Sequence, residues 1–281
     1  MSERSEYPAG VPCWVDTLRP DPARLNEFYR AIFGWEPSGP GAIPGEPPGE
    51  YYVAQLRGRD VAGIGSSPAG ADGQGRGWNT YIRVENADRA AEQARAAGGT
   101  VLVDPFDVLP AGRMAVLADA VGARFCAWEP RDRQGAQLVN EPGAWSMSFL
   151  STDDPESAAA FYRSVFGWET ESFSFGEMEA MLFRLPGFVG GEPEQPVARD
   201  VVATMMPLEP GDAGESAESR WGLDLWIADT DAAAASVDGL GGSVIVPPDD
   251  NPAFRTAILA DPNGATFSVS QLRAGASEPS S

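Results

Sequence analysis

Apolar positions along this chain follow two rhythms, and the helical one occurs twice in nearly the same letters. Leu25, Phe28, Tyr29, Ile32 and Phe33 have the spacing of one helix face, and Ala158, Phe161, Tyr162, Val165 and Phe166 repeat it. Each run opens on an Asp-Pro pair, Asp21-Pro22 and Asp154-Pro155. There the carboxylate caps free backbone N–H groups, and proline at the first helical position loses no bond. Each run closes on glycine, Gly34 or Gly167, the residue suited to a left-handed helix terminator. Trp-Glu follows both times, and the offset stays at 133 residues from Asp21/Asp154 to Glu36/Glu169. The chain is a tandem duplication. Nothing on the aromatic face is chemically reactive, so it reads as the buried side of a helix.

The other rhythm is the period-two alternation of strands. In the first half strands are expected at 11–18, 51–56, 61–66, 78–84, 100–103, 114–117 and 124–128, with helices at 22–33 and 87–97. Within 78–84, Trp78, Thr80, Ile82 and Val84 share one face, and Asn79, Tyr81 and Arg83 the other. In the second half strands are expected at 145–150, 180–185, 201–206, 222–227, 243–246, 255–259 and 265–270, with helices at 156–166 and 231–239. A second repeated motif lies late in each half: Leu117-Ala118-Asp119 with Gly122-Ala123, and Leu259-Ala260-Asp261 with Gly264-Ala265. The Pro- and Gly-rich stretch 37–50 reads as an irregular loop, as does 67–77. Residues 1–10 read as disordered, and 207–220 and the tail 273–281 as mobile. The expected organisation is an α+β fold with one domain over 11–130, a linker over 131–143, and a second domain over 144–272.

At 281 residues the chain can build two ordinary cores. Its 41 acidic against 20 basic residues give a net charge of −21, which opposes binding to nucleic acid. The same field raises the local concentration of a small cation, and it also serves solubility. No apolar run is long enough to span a bilayer, and the polar start lacks the apolar core of a signal peptide, so a cytoplasmic location is expected. Cys13 and Cys126 are too few for a disulfide framework or a thiolate zinc site. With no histidine in the chain there is no Ser–His or Cys–His nucleophile pair. No glycine-rich phosphate loop joins a strand to a helix.

Four strand–helix–three-strand units in two domains, the Phe-Tyr…Gly-Trp helix end, and Asp261-Pro262-Asn263-Gly264 before the last strand together resemble a known superfamily. It is the vicinal oxygen chelate group of glyoxalase, the bleomycin-resistance proteins and the extradiol dioxygenases. The chain looks most like its tandem-domain actinobacterial glyoxalase-like members, several of which accompany antibiotic pathways. This resemblance implies a curled eight-stranded sheet forming a cleft in each domain, with metal ligands, usually His or Glu, on the first, fourth, fifth and eighth strands. Here the first-strand positions are Trp14 and Met147, the fifth-strand positions Asn79 and Gly222, and the eighth-strand positions Cys126 and Ser268. The fourth-strand stretches Gly63-Ile64-Gly65 and Ala203-Thr204-Met205 supply no carboxylate or imidazole. A zinc, nickel or iron site needs three or four converging N or O ligands, so no metal and no cofactor are expected.

Alternation places Trp14, Asp16, Asn79, Tyr81, Arg83, Arg124, Cys126 and Trp128 on the inner face of the first domain. In the second it places Trp145, Met147, Phe149, Gly222, Asp224, Trp226, Thr266, Ser268 and Ser270 there. The opposite parity, Leu223, Leu225, Ile227, Phe267 and Val269, is apolar and suited to packing beneath helices. Aromatic walls with a few polar groups suit a flat aromatic ligand, and Asp16 or Asp224 can pair with an amine on it. Two other readings stay open: Trp14 and Trp226 as plugs of a cleft that has lost its function, and Asp16 or Asp224 in ion pairs with Arg83 or Arg124. The expected function is metal-independent binding of an aromatic, cationic or neutral small molecule, an antibiotic or polyketide. It would serve self-resistance or assist biosynthesis, with a biosynthetic oxidase as a partner and a monomer or homodimer as the assembly. The alternative is a metal-free isomerase or cyclase acting on the same class, with Asp16 or Asp224 as its acid or base.

Overall fold

The computed structural model describes residues 3–43, 48–67, 77–175, 178–190, 199–208 and 218–273. Strand β1 (Pro12–Arg19) runs through Asp21 into helix α1 (Pro22–Phe33). The Asp21 carboxylate accepts the Arg24 amide N–H at 3.0 Å, and Gly34 ends the helix at φ 73°. Strands β2 (Glu36–Ile43), β3 (Gly49–Leu56) and β4 (Arg59–Ser66) complete the first unit. The second unit is β5 (Asn79–Arg83), α2 (Ala87–Ala96), β6 (Thr100–Val108), β7 (Gly112–Ala118) and β8 (Arg124–Pro130).

The second half repeats this order. It runs β9 (Trp145–Thr152), α3 (Pro155–Phe166), β10 (Glu169–Phe175), β11 (Met178–Arg184) and β12 (Val201–Pro207), then β13 (Arg220–Trp226), α4 (Thr230–Val237), β14 (Ser243–Asp250), β15 (Phe254–Ala260) and β16 (Thr266–Leu272). Asp154 caps α3 by accepting the Ser157 amide at 3.0 Å, and Gly167 at φ 73° terminates it. Each half forms one eight-stranded mixed sheet, ordered β2-β3-β4-β1-β5-β8-β7-β6 and β10-β11-β12-β9-β13-β16-β15-β14. In both, the two central strands are antiparallel, and each pairs in parallel with the last strand of a unit.

Three expectations are corrected. Of the stretch 37–50, read as an irregular loop, residues 37–43 lie in β2 and 49–50 in β3, and the sequence pattern gives no strand at β10. β2 and β10 are outermost strands, where a proline's missing N–H breaks no ladder bond; β2 carries Pro37 and Pro40 and a bulge between Ser38 and Gly41. Residues 3–10 are ordered rather than disordered. Glu3 bridges to Leu138, and the Tyr7 hydroxyl donates to the Ala136 carbonyl at 2.7 Å. Of the expected loop 67–77 and the expected mobile stretches 207–220 and 273–281, residues 68–76, 209–217 and 274–281 lie outside the described residues, while Pro207 ends β12 and Arg220 opens β13.

The two sheets meet back to back. Thr80 of β5 and Ser148 of β9 share a hydrogen bond of 2.8 Å between opposite halves, and β5 lies against β13. The repeated helices bridge the halves. Phe28 and Tyr29 of α1 pack on Phe267 of β16 at ring distances of 6.3 and 5.7 Å. Phe161 and Tyr162 of α3 pack on Phe125 of β8 at 6.0 and 5.9 Å. The late motif of each half holds the other half's helix. Asp261 accepts the Tyr29 hydroxyl at 3.0 Å, and Asp119 accepts the Tyr162 hydroxyl at 2.8 Å. The second oxygen of each aspartate closes its own turn, through the Ala265 amide at 3.0 Å and the Ala123 amide at 2.8 Å. Trp35 and Trp168 add the same crossing, donating to the carbonyls of Gly143 at 2.6 Å and Gly10 at 2.7 Å.

Burial drives the Asp119 carboxyl up from its ordinary 3.8 to about 6, against the pull of the Tyr162 hydroxyl and the backbone amides. A folded-state pKa raised in this way means that the folded form holds the proton more tightly. The stability it contributes is full below about pH 4 and is lost as pH rises through about 6, at most about 3 kcal/mol. Compared with Asp119→Asn, the wild-type protein should lose more stability between pH 4.5 and 7.5 in urea unfolding. Parallel pH dependence in the two proteins would refute this assignment.

Candidate functional site

Register fixes which side chains meet on the concave faces. In the first domain Asp16 of β1 stands opposite Asn79 of β5 and Gly63 of β4, and Tyr81 stands beside Cys126 of β8. Asp16 accepts from Asn79 Nδ2 at 2.8 Å on one oxygen, and from the Tyr81 and Tyr51 hydroxyls at 2.6 and 3.1 Å on the other. Tyr51, from β3, also accepts the Trp14 indole N–H at 2.9 Å. Its ring lies on two glycines: a Cβ at Gly63 would stand 1.9 Å from the Tyr51 hydroxyl, and one at Gly65 2.7 Å from its ring. The Arg133 guanidinium sits 5.5 Å from the centroid of the Trp14 ring, and the backbone carbonyl of Arg133 accepts the Trp128 indole N–H at 3.0 Å.

The first cleft is therefore closed. Trp14, Asp16, Asn79, Tyr81, Cys126 and Trp128 are all buried, Asp16 with 1% of its surface exposed. Burial raises the Asp16 carboxyl above its ordinary value, while its three hydrogen bonds and the Arg124 charge pull the other way. Among the described residues neither Arg83 nor Arg124 forms an ion pair with it, and each leaves a buried Nε without a hydrogen-bond partner. Both cysteines are buried, and burial raises Cys126 to about 12 and Cys13 further still, which removes thiolate chemistry.

The second cleft has the same walls and a different filling. Thr204 of β12 stands opposite Phe149 of β9, in the place where Gly63 faces Asp16. On the neighbouring β11, Leu182 pairs with Thr204 as Val53 pairs with Gly63. Two residues before that pair the first domain has Tyr51 and the second has Ala180. With a methyl group in place of the phenol, Met147, Phe149, Asp224, Trp226 and Ser268 remain partly exposed. The Phe149 ring lies against Gly222, where a Cβ would stand 2.5 Å from it. Trp226 rests against Phe254 with ring centroids 6.0 Å apart.

Asp224 is the polar centre of this cleft. One oxygen accepts the Ser270 hydroxyl and the other the Ser146 hydroxyl, each at 2.6 Å, and Ser268 adds a third hydroxyl. Burial raises its carboxyl above the ordinary value, and the serines oppose that. Simple alternation placed Trp145 inward and Ser146 outward; a bulge between Asp224 and Leu225 reverses them. Trp145 pairs with Leu225 of the packed face and is buried, and Ser146 reaches Asp224. Sequence reasoning missed Tyr51, Arg133 and Ser146. The first two come from a neighbouring strand and the inter-domain segment, and only the glycines at 63 and 65 hinted that a ring lay above them.

Fold and clefts together define a tandem vicinal oxygen chelate protein. A family model described as a glyoxalase-like domain matches residues 14–128 and again 147–270, and the chain belongs to that family, with one copy in each half. It is 37% identical over 273 residues to the Mycobacterium tuberculosis protein named Putative glyoxylase CFP32, covering 96% of this chain and 97% of that one. It is 32% identical over 286 residues to the Anthracycline biosynthesis protein DnrV of Streptomyces peucetius, covering 96% of each. Among solved structures it resembles the Mn(II)-bound glyoxalase from Novosphingobium aromaticivorans in fold, with a TM-score of 0.59 and 14% identity over 94% of this chain and 82% of that one.

The residues here do not fit a bound metal of that kind. At the paired positions stand Asp16, Asn79, Tyr81 and Cys126 in one domain and Phe149, Gly222, Asp224 and Ser268 in the other. Each domain offers one carboxylate, already engaged by protein donors on both oxygens. Among the described residues no three His, Cys, Asp or Glu side chains converge.

Proposed function

We propose that the second-domain cleft binds an aromatic small molecule without a metal, and that the protein assists the biosynthesis of, or self-resistance to, an aromatic natural product in the cytosol. The observation that carries this reading is the contrast between clefts. The first is filled by its own Tyr51, whereas the second leaves Phe149, Trp226 and Met147 partly exposed around one polar centre. Two rings and one thioether suit a flat polycycle, with Asp224 and the serines fixing its orientation. Kinship with an anthracycline biosynthesis protein over nearly the full length supports the natural-product setting. The raised Asp224 carboxyl favours a second reading, in which it moves a proton on the bound compound as a metal-free isomerase or cyclase does.

Titrating chelator-treated protein with an anthracycline and other polycyclic aromatics should quench tryptophan fluorescence saturably. Trp226→Phe should lose most of that signal. Absence of a saturable response across the panel, or a response that returns only on adding a divalent metal, would overturn the proposal.

A further inference from the structure

Asp224 is a carboxylate without a cation. Among the described residues no Lys or Arg pairs with it, and the strands beside it present hydroxyls, Ser146 from β9 and Ser268 and Ser270 from β16. A carboxylate has about four acceptor sites, and these three serines engage at most three of them. Asp224 itself, like Met147, Phe149 and Trp226 around it, keeps part of its surface exposed. Asp16 has as many donors, but it is sealed beneath Tyr51 and Trp14. The two inward aspartates are therefore not equivalent.

From this arrangement we infer that Asp224 is the anchor for a protonated amine, so that the second cleft takes a cationic, amine-bearing aromatic ligand. The inference rests on the aromatic-binding reading of the same cleft and narrows its ligand class. A charged donor completes a carboxylate that neutral hydroxyls leave uncompensated, in a place where water is partly excluded. Trp226, two residues along the same strand face, offers an indole to the same cation, and indole is the aromatic best suited to that contact. The net charge of −21 assists approach from a distance, an effect that fades with salt, whereas the contact with Asp224 is screened much less.

The matched probes are 2-aminotetralin, its alcohol 2-hydroxytetralin, and the parent hydrocarbon tetralin, measured by saturation-transfer NMR and titration at 0.15 M salt. The amine should bind the wild-type protein about tenfold more tightly than the alcohol. Asp224→Asn, which keeps the shape and hydrogen-bonding capacity of the side chain, should abolish that preference and leave alcohol binding within about threefold. Trp226→Phe, which leaves the carboxylate in place, should weaken all three probes and retain the preference for the amine. Equal affinity for amine and alcohol in the wild type would overturn the inference while leaving the aromatic cleft standing. An amine preference that survives in Asp224→Asn would overturn it as well. No binding of any probe would sink the aromatic-binding reading, and this one with it.

Discussion

Trp168→Ala should destabilise the protein by about 3–5 kcal/mol, among the larger losses a core truncation produces. Trp168 is fully buried, and its ring stacks on Tyr162 at 5.0 Å and 14° while contacting Phe183 and Trp221 at 5.0 and 6.3 Å. Removing the indole leaves a cavity between elements that cannot collapse, because Tyr162 is tied to Asp119 and accepts the Trp221 indole N–H at 2.8 Å. It also orphans the Gly10 carbonyl, which the Trp168 N–H satisfies at 2.7 Å. Urea unfolding should show the lower midpoint, and limited proteolysis should cut within residues 3–10 of the variant first. A loss below about 1 kcal/mol, with the N-terminal segment still protected, would contradict this account of how the halves are joined.

Gly63→Val should cost about 3 kcal/mol and open the first cleft. Any side chain at this position collides with the Tyr51 hydroxyl and comes within 2.9 Å of the Asp16 Cβ. The backbone cannot retreat, since β4 is paired on both sides. Tyr51 must therefore leave, and Asp16 loses one donor while the Trp14 N–H loses its acceptor. Overpacking and an orphaned buried donor each cost about 1–3 kcal/mol, and the valine itself recovers part of the filled volume. The variant should unfold at lower urea and show Trp14 newly accessible to a fluorescence quencher. Unchanged stability with Trp14 still shielded would mean that Tyr51 does not hold the first cleft shut.

Much of the fold was legible because the signals that encode it are local. Asp21-Pro22 and Asp154-Pro155 cap helices, and Gly34 and Gly167 end them, through contacts within a few residues. Alternation gave the inward faces wherever strands stay in register, and failed at Trp145, where a bulge shifts the count by one. The edge strands β2 and β10 escaped because outermost positions tolerate proline and lack the apolar alternation of a packed face.

The sequence by itself determined that the chain is duplicated, where its helices begin and end, and which residues share a strand face wherever the strands stay in register. The duplication shows as the same letters returning 133 residues later, and the rest follows from neighbouring residues or from period-two geometry. Only the tertiary structure decided that Tyr51 fills one cleft while the described walls of the other stay partly exposed, and that each half's helix is held by the other half's aspartate. Those outcomes depend on pairs far apart in the chain, Tyr51 with Asp16, Tyr29 with Asp261 and Tyr162 with Asp119. Which distant groups meet is set by strand order and sheet packing, and no local spacing records it.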